Sequence, residues 1–180
     1  MIMKTINDVK ELAETLMSQQ FTFSTYYGVY TLSGKQLGYN FKFDTAKRRF
    51  GCCSYTRKQI SLSKPLSLEN LDKVDTQITD TMLHELAHAF SVHVYGMKEG
   101  RGHNYNWKHI AKQIGCDGER CFASEDVNMP KSKYKLVCDN CENEIPKHKM
   151  VKKNYACGKC CDEYNSGKFS EKYKLRLVVN

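Results

Sequence analysis

Five consecutive residues, His84-Glu85-Leu86-Ala87-His88, set two imidazoles four positions apart with a carboxylate beside the first. On an α-helix, positions i and i+4 lie about 40° apart around the axis and one turn apart along it, so both rings can reach one divalent cation. Glu85 falls roughly 100° round from His84, too far to join the same chelate but well placed to hold a water beside the metal and take its proton. The spacing therefore gives two zinc ligands, His84 and His88, and one general base, Glu85. The bland alternative is an amphipathic helix with histidines on its polar face. It fits poorly, because Met82, Leu83, Leu86, Ala87 and Phe90 mark the same helix as buried. Three polar groups are costly there unless they share a partner.

A catalytic zinc takes three protein ligands and leaves a fourth position open. His93 lies on the same helix but is rotated about 140° off the metal face. The metzincin pattern requires glycine at 91 and histidine at 94, where this chain has Ser91 and Val94. Glu99, Glu119 and Glu125 sit in no supporting motif. His103 remains, in Arg101-Gly102-His103-Asn104, after a glycine-bearing loop that lets the chain turn back on itself.

A second metal set lies downstream. Cys138-Asp139-Asn140-Cys141 and Cys157-Gly158-Lys159-Cys160 form two C-x-x-C pairs separated by fifteen residues, a structural zinc spacing. Each pair turns its two sulfurs towards one ion, and four thiolates close the tetrahedron, so this zinc supports folding and offers no open position for chemistry. Cys161 is an alternative to Cys160, with a less usual spacing. The other thiols, Cys52, Cys53, Cys116 and Cys121, read as buried or surface cysteines with no special role.

The elements that must position these residues are partly legible. Ile6, Val9, Ala13, Leu16 and Met17 recur at helical spacing behind Thr5-x-x-Asp8, a capping signature, which predicts a helix over about 6–19. From Tyr26 to Leu62 the texture turns to short β-prone runs, with alternation over 38–43 and 57–62, which predicts a small antiparallel sheet of about three strands. A short helix is expected over 67–73 and a long one over 75–94, ended by Gly96 and Gly100. A further helix over 104–114 stops at Gly115. After Met129-Pro130 the chain becomes polar, lysine-rich and punctuated by cysteine. The expected division is residues 1–129 and 130–180.

His84, Glu85, His88 and a third histidine fifteen residues on, within Gly102-His103-Asn104-Tyr105-Asn106-Trp107, resemble the SprT/Spartan-like zinc metalloproteases. Phe43-Asp44-Thr45-Ala46-Lys47-Arg48-Arg49-Phe50-Gly51-Cys52 and Ile60-Ser61-Leu62-Ser63 look like that family's sheet segment, and the likeness runs on into the cysteine pairs. Asn104 departs from the pattern, standing where many relatives have glycine; asparagine tolerates left-handed backbone better than most residues. The resemblance implies an α+β fold: a zincin-like helical protease domain with a small sheet, followed by a zinc ribbon. It also implies a DNA-dependent endopeptidase acting on proteins bound or crosslinked to DNA, hence a role in DNA-protein crosslink repair. The cofactors would be one catalytic and one structural Zn²⁺. The chain lacks a long tail with ubiquitin- or clamp-binding motifs, which fits a minimal prokaryotic or phage form.

The charge agrees with a polyanionic partner. The whole chain carries a formal +8, and residues 131–180 hold twelve lysines or arginines against six acidic residues. Four thiolates on Zn²⁺ lower that regional surplus to about +4. Tyr134, Tyr155 and Tyr164 interleave with Lys133, Lys135, Lys152 and Lys153, the pairing of stacking faces and phosphate-neutralising charge that single-stranded DNA takes. The candidate DNA contacts are Tyr134, Tyr155, Lys152 and Lys153. The first twelve residues carry charges where a signal peptide needs an apolar run, and no stretch is long and apolar enough for a membrane span. The expectation is a monomeric, cytoplasmic protein, nucleoid-associated or nuclear according to its source, with no membrane partner. Two other readings stay open. One is a zinc-ribbon nucleic-acid-binding protein whose histidine site is not catalytic, against which the presence of Glu85 counts; the other is a general intracellular zinc peptidase without DNA dependence. Tyr105 and His109 are the nearby candidates for an oxyanion donor.

Overall fold

A computed structural model describes residues 4–119 and 127–180, so Cys121 and Glu125 lie outside the described residues. The chain divides into two compact units, Met1–Pro130 and Lys131–Asn180, each mixed in secondary structure with small sheets.

In the first unit α1 spans Ile6–Ser18 and begins with a full capping box: the Thr5 hydroxyl accepts from the Asp8 N–H, and the Asp8 carboxylate accepts from the Thr5 N–H. Val9, Ala13, Leu16 and Met17 are its buried face. Phe21–Thr25 (β1) and Gly28–Leu32 (β2) form a hairpin, tied on its outer face by the Thr22 and Thr31 hydroxyls 3.0 Å apart. Phe21 and Phe23 turn inward against Phe90. The strand region thus opens at Phe21, five residues before the Tyr26 at which the β-prone texture is expected to begin.

The sheet beside the site consists of β3 (Asn40–Asp44), β4 (Gly51–Ser54) and β5 (Gln59–Ser63), in the order β3-β5-β4. The expected antiparallel sheet is corrected here, since β4 and β5 pair antiparallel but β3 and β5 run parallel. The chain reverses between β3 and β4 and again between β4 and β5, so β3 returns to the direction of β5 and joins its free side. That leaves β4 as an edge strand.

α2 runs Lys64–Glu69, earlier than the 67–73 expected, because the Ser63 hydroxyl caps Leu66 N–H and Pro65 suits the first turn. Asn70 breaks the helix, and its amide holds both the N–H and the carbonyl of Asn128. The long helix also departs from 75–94. Residues Val74–Ile78 form a wider π-turn, in which the Thr79 hydroxyl donates to the Val74 carbonyl at 2.7 Å. α3 proper covers Thr79–Glu99, with a break at Gly96 (φ 75°). α4 spans Tyr105–Gln113. α3 packs across β4 and β5 and against α1 and α4. The core around it includes Met17, Phe23, Ile60, Leu62, Leu86 and Trp107, all at most 2 % exposed. No helix among the described residues is long and apolar enough to cross a membrane.

In the second unit β6 (Tyr134–Cys138) pairs with β7 (Glu144–Lys147) on one side and β8 (Leu175–Val179) on the other, both antiparallel. α5 spans Gly158–Tyr164. A small core of Leu136, Tyr173, Leu175 and the cysteines fills the space between them. The polar, lysine-rich texture after residue 130 conceals this sheet, because its aliphatic residues sit in three short strands far apart in the chain.

Candidate metal centre and cleft

Two glycines bring the third histidine back to the helix that carries the first two. Gly96 takes a left-handed conformation that ends the regular helix, and Gly100 lies so close to α3 that an added Cβ would sit 2.3 Å from the Ser91 carbonyl oxygen. The segment therefore folds back and delivers His103. Asn104 does not adopt left-handed backbone; at φ −76°, ψ −175° it is the N-cap of α4, its side-chain oxygen accepting from Trp107 N–H. Its amide also donates to the Glu99 carbonyl at 2.8 Å.

The Nε2 atom of His103 lies 2.9 Å from that of His84 and 3.1 Å from that of His88. Tetrahedral ligation with Zn–N bonds of about 2.0–2.1 Å separates ligand nitrogens by roughly 3.3–3.4 Å, close to this spacing. The Glu119 backbone lies against His84 and partly offsets the burial that lowers its imidazole. Three nitrogens converging this tightly cannot satisfy one another with linear hydrogen bonds, whereas one cation between them satisfies all three. Burial drives the His84 imidazole down to about 4, with His103 adding to the effect. Burial and both neighbouring rings take His88 to about 3. Both are neutral ligands at physiological pH. Asp80, one turn before His84, accepts the Asp117 N–H at 2.8 Å and tethers the segment that carries Glu119.

Trp107 explains the aromatic residue after the third histidine. It is fully buried, and its ring centroid lies 4.6, 5.1 and 4.6 Å from those of His84, His88 and His103. It forms a rigid floor under the three rings, while His103 stays exposed and leaves one side of the cluster open.

Glu85 is buried, and its carboxylate accepts a hydrogen bond from the Cys53 N–H of β4. Burial lifts it to about 8, against the lowering influence of that N–H and of Arg49. A divalent cation at the histidines would pull it back down. Gly51 lies opposite, where an added Cβ would meet Glu85 Oε1 at 2.6 Å. A cleft runs between β4 and α3, with Arg49, Gly51, Tyr55, Glu85 and the three histidines among its lining residues. Arg49 is held by Asp44 at 2.8 Å, and Asp44 also accepts from the Ser61 hydroxyl. Gly51, Cys53, Arg49 and Tyr55 are site residues that motif reading passes over. A glycine inside a short strand signals close approach of another element, and that was the available clue. Of the other ligand candidates, His93 is exposed outside the cleft and Glu99 pairs with Lys98; Glu119 lines the cleft, but its carboxylate pairs with Lys108. Cys52 and Cys53 are half-buried, and Cys116 is buried.

The second unit brings Cys138, Cys141, Cys157 and Cys160 together, their sulfurs all within 4.8 Å of one another. The Cys138–Cys160 and Cys141–Cys157 Sγ separations are 3.8 and 3.6 Å. Four thiolates at about 2.3 Å from a central zinc stand roughly 3.8 Å apart, whereas a disulfide would need about 2.05 Å. Burial raises the Cys138 thiol, but the backbone N–H groups of Cys141 and Asn140 outweigh it and bring it down to about 7. The Asn140 amide donates to Cys160 Sγ at 3.4 Å. Cys161 is buried in the adjoining core, outside the four-sulfur group. Of the candidate DNA contacts, Lys152 and Lys153 are exposed and Tyr134 is half-buried on β6. Tyr155 is 45 % exposed with Lys147 Nζ 5.8 Å from its ring centroid, a lysine absent from the sequence-derived set. Tyr164 leans on Tyr173.

A helix-borne histidine pair, a third histidine returned by a loop and a buried carboxylate in an open cleft define a site of the metallopeptidase type. Residues 9–128 match the model of the SprT-like family, and the chain belongs to that family, which is associated with metallopeptidase activity. No curated protein and no solved structure gives a significant match.

Proposed function

We propose that the protein is a zinc-dependent endopeptidase of zincin-like architecture, which cleaves proteins bound or crosslinked to DNA, with residues 130–180 forming a zinc ribbon that grips the DNA. The observation that carries the reading is the convergence of three histidines, His103 Nε2 lying within 3.1 Å of both His84 and His88, beside the buried Glu85 carboxylate. When bound at the three histidines, zinc supplies a Lewis acid and lowers the pKa of water. Glu85 takes the proton of the attacking water and returns it to the leaving amine. β4 is the edge strand of its sheet and borders the cleft, a position that suits an extended peptide laid alongside. Trp107 keeps the histidine rings in place from below. In the second unit, exposed Tyr155 with Lys147 beside its ring, and the exposed Lys152 and Lys153 just before it in the chain, support binding to single-stranded DNA through base stacking and phosphate neutralisation.

The test is to incubate the purified protein with a DNA-bound protein substrate and with the same substrate free, each with and without single-stranded DNA. Cleavage that requires DNA, or is greatly faster with it, supports the reading. Equal cleavage of free substrate without DNA identifies a general peptidase. DNA binding with no cleavage of either substrate identifies a nucleic-acid-binding protein whose histidine site is not catalytic.

A further inference from the structure

Hydrolysis at this site requires a donor for the carbonyl oxygen that turns negative as water adds. The sequence offers Tyr105 and His109, and the structure turns both away. Tyr105 is 79 % exposed and stacks on His109 with ring centroids 5.8 Å apart, and neither residue lines the cleft. Tyr55 does line it, together with Glu85, His84, His88 and His103.

Side chains two apart in a strand share a face, and β4 uses that period against α3. Gly51 abuts the Glu85 carboxylate, and Cys53 donates its N–H to it. Tyr55 comes two residues later, the first residue of the turn that follows β4, half-buried and lining the same cleft as Glu85 and the three histidines. We propose that Tyr55 is a catalytic residue whose hydroxyl donates a hydrogen bond to the oxyanion of the tetrahedral intermediate. This rests on the endopeptidase reading above.

Burial, with the nearby Cys53 thiol and Glu85 carboxylate adding to it, pushes the Tyr55 phenol up to about 12, so the hydroxyl keeps its proton and remains a donor at working pH. Two rival donors in the cleft are already engaged. Arg49 binds the Asp44 carboxylate and the Gly51 carbonyl, and the Thr81 hydroxyl donates to the Gln77 carbonyl at 2.7 Å. Arg48 and Gln77 also line the cleft and serve as controls. The step balances without a further reactant. The water oxygen bonds to the carbonyl carbon, the C=O π pair moves onto oxygen, and Glu85 takes one water proton. On collapse the pair returns, the C–N bond breaks, and the amine leaves with the proton from Glu85. Tyr55 transfers no proton; its bond strengthens only while the oxygen is charged.

Tyr55→Phe removes one oxygen atom and keeps the ring. In the full-length, zinc-loaded chain it is expected to lower kcat by roughly 10²–10³-fold with KM within about twofold, and to leave zinc content and unfolding midpoint unchanged. Affinity for a phosphinic peptide, whose tetrahedral oxygen occupies the oxyanion position, should fall in step with kcat/KM, while a product peptide binds as before. Arg48→Gln and Gln77→Ala should change kcat little. The assignment is overturned if Tyr55→Phe keeps kcat within twofold of the parent, if its loss lies only in KM, or if phosphinic peptide affinity is unaltered. The parent and Glu85→Gln separate the two claims. A parent that cleaves nothing defeats the endopeptidase reading and Tyr55's role with it, whereas an active parent, an inactive Glu85→Gln and a fully active Tyr55→Phe defeat the Tyr55 assignment alone.

Discussion

Gly51→Ala probes the contact between strand and catalytic helix that no motif announces. An added Cβ meets Glu85 Oε1 at 2.6 Å, Thr81 Cγ2 at 2.7 Å and Glu85 Cγ at 2.9 Å, all inside the 3.4 Å at which ordinary contact begins. Relieving the first clash alone requires a displacement of about 0.8 Å. The carboxylate cannot swing away freely, because it is buried and held by the Cys53 N–H on the same strand. Overpacking of this kind costs about 1–3 kcal/mol, partly offset by the smaller entropy of the unfolded alanine chain. The unfolding midpoint should drop by a few degrees, roughly 3–8 °C. Activity should suffer more, since a misplacement near 1 Å costs on the order of 10²-fold, so kcat is expected to fall about 10–100-fold with zinc still bound. The assay is peptide hydrolysis with zinc analysis and thermal unfolding on the same preparation. Gly158→Ala is the control, because nothing lies within 4 Å of its added Cβ. A folded Gly51→Ala protein with the parent's kcat refutes the argued contact between β4 and Glu85.

His103→Ala removes one of three ligands at an open site, and Cys157→Ser breaks a closed tetrahedron in a unit with a small core; the first should lose activity with residues after 130 still protected from hydrogen exchange, the second should lose that protection. Indistinguishable exchange in the two variants contradicts a division of labour between the metals. Lys152→Ala with Lys153→Ala should reduce the salt slope of single-stranded DNA binding by at most about 1.4, at about 0.7 per phosphate. Tyr155→Ala should weaken binding by roughly 1–3 kcal/mol at nearly constant slope, and salt-insensitive binding by the parent rules out the contact.

The helix carrying the first two histidines could be read because i and i+4 fix a shared face whatever the surroundings, and the Thr5–Asp8 capping box is equally local. The fold-back that returns His103 was legible as a turn, since Gly96 and Gly100 announce it, but the role of Gly100 depends on the Ser91 carbonyl, which only the packed helix brings near. Alternation in residues 40–44 and 59–63 reports which face each side chain takes and carries nothing about partner or direction, so the parallel pairing of β3 with β5 stayed hidden. β4 is four residues of Gly-Cys-Cys-Ser with no alternation, so nothing in the sequence places Gly51, Cys53 and Tyr55 beside Glu85. Thr79 widens the turn before α3 through its hydroxyl, a competition between side chain and backbone that periodicity does not register.

The central claim is that Glu85 acts as the base beside a three-histidine zinc. The most direct measurement is hydrolysis of a DNA-bound protein substrate by the parent and by Glu85→Gln, with zinc counted in both. The predicted result is two zinc ions per chain in each, one for the histidine group and one for the cysteine group, with the variant's rate lower by at least about 10²–10⁴-fold. Parent-level hydrolysis by a Glu85→Gln protein that retains both zincs contradicts it.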